Sequence, residues 1–196
     1  MDESSNGTGT PERPARVGEL ADACIRFVDR AQGVRLDYSL ETLPLLDHYL
    51  EQAREAARTK PETSGLVAQA AGAYFGELLR RRYASWWSAD DADPSLWRIE
   101  LENVYLAVAP VALVSDLLLR GTMEEGDVAF LELLEDDRSA VAARLADLPG
   151  VSDAEYYSLA TRLEVIDIAV EAIRARRMAE GEDADQPLTP DDYRDA

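Results

Sequence analysis

Residues Leu66 to Arg82, LVAQAAGAYFGELLRRR, constrain the fold more than any other stretch of the chain. Leu66, Ala70, Ala73, Tyr74 and Leu78 recur at helical spacing. Ser64 precedes them as a candidate N-cap. Arg80, Arg81 and Arg82 close the segment, where cations suit the negative pole of a helix. Gly72 and Gly76 lie inside this helix, and each costs about 1 kcal/mol relative to alanine. Ala68, Gly72 and Gly76 are four apart and form a bare stripe, which predicts a neighbouring element lying flat against it. Glu77 borders the apolar face, with Arg81 one turn on in the favourable acid-then-base order. Its two readings are an ion-paired helix carboxylate and a ligand-binding or catalytic carboxylate.

The chain suits one domain of mainly α class with a small β-hairpin (α+β), a helical bundle around the central glycine-containing helix. Residues 1–15 are expected to be a disordered tail, residues 16–180 the domain, and residues 181–196 a disordered acidic tail. The first helix spans Arg16–Gln32, with Val17, Leu20, Cys24, Phe27 and Val28 inward and Gly33 as its stop. A second follows Pro44 to Arg58, with Leu43, Leu46 and Leu50 as its seam and Asp47 at the border. Trp86 and Trp87 fall in a loop before Asp90, Asp91 and Asp93, where they plug the core or anchor a partner. Those aspartates lack the glycine and late glutamate of a calcium loop and read as a solvated turn.

Trp97–Leu101 alternates, and with Val104–Val108 it predicts the hairpin, near 97–108, with Glu100 and Glu102 pointing away from the core. Pro110 opens a helix to Leu119, and Gly121 ends it. Thr122 with Glu125 suggests a capping box, and Val128–Leu134 a short helix. Asp136 or Asp137 then caps a helix that Pro149-Gly150 ends. Ser152 with Glu155 starts the longest helix, 153–180, whose seam of Tyr156, Leu159, Leu163, Ile166, Val170 and Ile173 suits either its own core or a homodimer.

The formal net charge is −19, of which residues 180–196 supply seven acids against Arg194. An acidic body repels phosphate backbones, so direct nucleic-acid binding is not expected, and a basic protein partner is. His48 is the only histidine and sits on the polar side of its helix, so a two-histidine zinc site within the chain is excluded. No cofactor motif is present. Cys24 is the only cysteine and faces inward. With no run of 18 apolar residues and no secretory leader, no membrane association and a cytoplasmic location are expected. Lys60 stands alone against nineteen arginines, the bias of a GC-rich bacterial genome.

Leu36-Asp-Tyr-Ser, Leu45-Leu-Asp47 and Gly72-Ala-Tyr-Phe-Gly-Glu77, followed by a tryptophan and a strand pair leading to a proline, give Leu36–Gly121 a likeness. This stretch resembles an uncharacterised bacterial domain family. The resemblance implies a fold and supplies no catalytic residues or cofactor.

Three function classes follow. The first is a non-enzymatic accessory protein binding a basic partner. The second is a small-ligand or metal-binding enzyme using Asp37, Asp47 and Glu77 with Arg80 or Arg81. The third is a nucleic-acid mimic, which the interspersed arginines disfavour.

Overall fold

The computed structural model describes residues 13–57, 61–90, 92–119, 130–146, 157–183 and 186–194. The expected tail before Arg13, Gly121, the Thr122–Glu125 box, Pro149-Gly150 and the Ser152–Glu155 box lie outside them.

The class expected from sequence, helices with a small sheet, is what the chain forms. Helix α1 spans Ala15–Gln32, α2 Leu43–Ala57 and α3 Pro61–Arg82. Gly33 ends α1 in the left-handed region, φ 71°, and its N–H donates to the Asp29 carbonyl. Helix α3 begins earlier than Ser64 suggests. Pro61 opens the helix, where its missing N–H costs nothing.

Helix α4, Pro110–Leu119, is apolar on nearly every side, because α3 covers one flank and the rest of the core the others. The glycines explain how close it lies. A Cβ on Gly72 would fall 2.5 Å from the Val111 Cα, so the two backbones touch across the bare stripe. Helices α1 and α4 thus clasp α3 from two directions. The Arg54 Nε donates to the Leu117 carbonyl at 3.0 Å and ties α2 to α4.

The expected hairpin is part of a larger antiparallel sheet in the order β1-β2-β3-β4. Its strands are β1, Ser85–Ser88; β2, Arg98–Leu101; β3, Leu106–Val108; and β4, Leu131–Leu133. Trp86 and Trp87 therefore lie on a strand, not in a loop, and alternate between its two faces. Strand β4 lies where a short helix was expected; Leu131 and Leu133 are buried and Glu132 is exposed, a period of two. Asp93 accepts from the Ser95 N–H and starts the one-turn helix 94–96 before β2.

Helix α5 spans Glu135–Ala146 and α6 spans Leu159–Ala179. Leu159, Leu163, Ile166 and Ile173 of α6 are buried in the chain's own core, so the expected seam is spent internally. Arg82 grips Asp167 with Nε and Nη2 at 2.8 and 2.7 Å, fixing the end of α3 to α6.

Asp47 makes a longer-range tie. Its carboxylate accepts from the Leu159 N–H at 2.6 Å and the Ala160 N–H at 3.2 Å, two of the free donors at the start of α6. Ser158 caps the same helix by accepting from the Thr161 N–H. Burial pushes the Asp47 carboxyl up, against the lowering by these two donors and Arg54. A carboxyl raised on folding stabilises fully below its unfolded pKa, about 4, and loses that share as pH rises through the folded value. Asp47→Asn does not titrate, so the stability of the wild type relative to this variant should fall with rising pH in melts across that window. Asp47→Ala, which does not titrate either, should cost about 1 kcal/mol at low pH, as other cap removals do, and less as pH rises through the same window.

The C-terminal stretch corrects the expectation of a disordered tail. Residues 186–194 lie across the outer face of the sheet, with Tyr193 buried against Trp86, Tyr105 and Ala107 and Leu188 packed beside them. The Leu188 N–H donates to the Glu102 carbonyl at 2.7 Å. Glu100 points away from the main core as expected, yet it is 2 % exposed, flanked by Trp86 and Ala107 on the face that this segment packs against. Its Oε2 accepts from the Trp86 Nε1–H at 2.7 Å, and Arg98 pairs with its other oxygen at 3.2 Å.

Candidate functional site

Glu77 is the one carboxylate of the expected set that is fully buried. Its surroundings follow from the glycine before it. A Cβ on Gly76 would sit 2.2 Å from the Trp87 ring, so only a bare position lets that indole cross α3 here. The Trp87 Nε1–H then donates to Glu77 Oε1 at 2.9 Å.

Arg80 supplies the second and third donors, Nε to Oε1 at 3.0 Å and Nη2 to Oε2 at 3.2 Å. Arg13 approaches Oε2 at 3.6 Å, its guanidinium folded back over bare Gly18. The sequence placed Arg13 in a disordered tail; its charge is instead drawn to a buried anion. The hydrogen bonds that Arg80 donates to Glu77 raise the pKa of Arg80 and keep it charged.

Arg81, the expected partner of Glu77, is turned elsewhere. Its guanidinium lies 3.9 Å from the centroid of the Tyr38 ring. Tyr38 in turn stacks on Tyr74, with centroids 4.5 Å apart, and its N–H donates to the Tyr74 hydroxyl at 2.7 Å. Tyr38 reaches this position with φ 64°, a left-handed conformation uncommon for an aromatic residue. A cation over an aromatic face is attracted to it, and that contact outcompetes a second salt bridge for Arg81.

The other two carboxylates are engaged separately. Asp37 is exposed and accepts from the Ser39 N–H and the Thr42 hydroxyl, both at 2.9 Å. Those bonds, Ser39 first, hold its carboxyl below the usual range. Asp47 caps α6. Asp37, Asp47 and Glu77 thus serve a turn, a helix end and a buried ion-pair cluster.

Surface cavities of about 340, 590 and 330 Å³ open between other residues, at Asp22–Arg35, along α5 and α6, and between α2, α3 and α4. None of the three carboxylates lines them. Among the described residues, no three His, Cys, Asp or Glu side chains are grouped to hold a metal. Cys24 is buried, and that burial pushes its thiol up and leaves it protonated. Trp86 and Trp87 are both buried within the chain, at 5 % and 7 % exposure.

Sequence reasoning missed the Tyr193 cluster. The hydroxyl donates toward the carbonyls of Leu101, Val104 and Leu106 at 2.7, 2.9 and 3.1 Å, and accepts from the Leu106 N–H at 3.0 Å. The ring stacks on Tyr105 at 4.5 Å and meets Trp86 at 86°. The available signal was an aromatic and a leucine in an otherwise polar, acidic stretch.

No family model matches the chain, and no match was found among curated proteins or solved structures. Among the described residues, no helix is long and apolar enough to cross a membrane.

Proposed function

We propose that this protein works by binding a basic protein partner through its acidic surface, without catalysing a reaction. The observation that carries this reading is where the charge resides. The chain has a formal net charge of −19. Arg54, Arg80, Arg82, Arg98 and Arg176 are committed to carboxylates of the same chain. Acids such as Glu19, Asp22, Asp29, Glu164 and Glu171 stand exposed. A surface of this kind steers oppositely charged proteins and fixes their register. The carboxylates that suggest catalysis are meanwhile held by contacts that build the fold. We place this binding in the cytoplasm, where a single free thiol is ordinary.

The test is affinity capture with the intact protein, followed by titration of the captured partner at rising salt. A stoichiometric partner with a basic isoelectric point is expected, its affinity falling at least about ten-fold between roughly 0.05 and 0.5 M salt. A partner whose affinity ignores salt, or a turnover that a folded Glu77→Gln variant abolishes, would overturn the reading.

A further inference from the structure

We infer that the pocket filled by Tyr193 is where the basic partner is recognised: a lysine or arginine side chain of that partner takes Tyr193's place, and residues 186–194 are the strap it displaces. This rests on the basic-partner reading and adds the surface and the side chain.

The pocket has the chemistry of a cation site. Three carbonyl oxygens, from Leu101, Val104 and Leu106, converge on the Tyr193 hydroxyl within 3.1 Å. A phenol has one proton to divide among three acceptors, whereas an ammonium has three protons and a guanidinium five. Among the described residues, the Leu106 N–H, 3.0 Å away, is the one donor aimed at the same point. The stacked face of Tyr105 forms one wall and Trp86 closes another at right angles. Aromatic faces attract cations, most strongly where water is excluded. The Glu100 carboxylate lies buried behind the Trp86 indole, and Arg98 is shared between Glu100 and Glu132, so one arginine answers two carboxylates beside the pocket. Neutral Tyr193 answers the apolar walls but little of this negative potential.

The strap is built to leave. Its inward contacts are those of Leu188 and Tyr193, while Gln186, Pro187, Thr189, Asp191, Asp192 and Arg194 are exposed. Residues 180–183, which join it to α6, are all exposed, with Gly181 at φ 76°. A segment anchored at two points gives up fewer contacts on opening than an element packed along its whole length.

The test uses the full chain and a hexalysine peptide, followed by NMR at the Trp86 indole N–H and the Leu106 amide. Emptying the pocket with Tyr193→Ala should tighten hexalysine binding about ten-fold over wild type, because apparent affinity scales with the fraction of open sites. Both reporter signals should move, and hexaglutamine should move neither. Leu188→Ser loosens the strap while keeping Tyr193 and the pocket walls, and should give an intermediate gain. It carries the test if Tyr193→Ala loses its helical circular dichroism. Hexalysine binding that neither variant tightens, or that leaves Trp86 and Leu106 unmoved, overturns the pocket and leaves the basic-partner reading standing. A natural basic partner that binds with salt dependence but equally well to wild type and Leu188→Ser does the same. Failure of hexalysine to bind any form at low salt overturns the pocket, and a captured partner without salt dependence overturns the reading beneath it.

Discussion

Replacing Gly72 with alanine should destabilise the protein by about 3 kcal/mol, the upper end for overpacking a core. The added Cβ would meet the Val111 Cα at 2.5 Å, the Pro110 carbonyl oxygen at 2.8 Å and the Val111 nitrogen at 2.8 Å. All three are backbone atoms in the first turn of α4, so no rotamer change relieves the clash. Helix α4 would have to retreat as a body, and Leu113, Val114 and Leu117 would lose their packing with it. The helix-propensity gain of about 1 kcal/mol offsets only part of this.

Gly65→Ala is the matched control, in the same helix with no atom within 4 Å of the new Cβ. It should stabilise by about 0.5–1 kcal/mol. Urea midpoints of the two variants should therefore move in opposite directions. A neutral Gly72→Ala would mean that α3 and α4 do not touch along the stripe.

Glu77→Ala should cost about 3 kcal/mol, the low end for breaking a buried pair by removing one partner. The low end applies because the Arg80 and Arg13 side chains are 25 % and 35 % exposed, so water takes up part of the loss. The Trp87 indole N–H has no such recourse, since its ring is buried against Gly76. Glu77→Gln keeps an acceptor for that N–H and should lose only about 1–2 kcal/mol. Tryptophan fluorescence during urea unfolding reads both. Because Gly76→Ala also displaces Trp87, it should combine with Glu77→Ala at less than the sum of the two single losses. Additive losses would show that the indole is not what couples the two positions.

The helices were legible wherever one face is apolar and the other wet. Val17, Cys24 and Val28, then Leu43, Leu46 and Leu50, recur at a spacing that only a helix turns to one side. Strands β2 and β3 were legible in part, through the alternation from Arg98 to Leu101. Strand β1 was not: both its faces are covered, so Ser-Trp-Trp-Ser shows no polar alternation. Leu131-Glu-Leu133 is too short for its period to be told from a helix turn.

The bare stripe of α3 and the presence of a close neighbour were written in residues 66–82, because a missing side chain is a local property. The sequence likewise determined the helical class, the inward Cys24 and the acidic excess. Which neighbour fills the stripe, and which arginine answers Glu77, only the tertiary structure decided. Spacings of three and four residues serve an ion pair equally well, and Tyr38, brought in from a distant loop, settled the choice by taking Arg81. Asp47 reaches a helix start 112 residues further on. Tyr193 finds its carbonyls about ninety residues back, and its burial depends on an aromatic face that exists only once the strands have paired. Local periodicity records which side of an element is buried, but the surface that does the burying is settled by contacts distant along the chain.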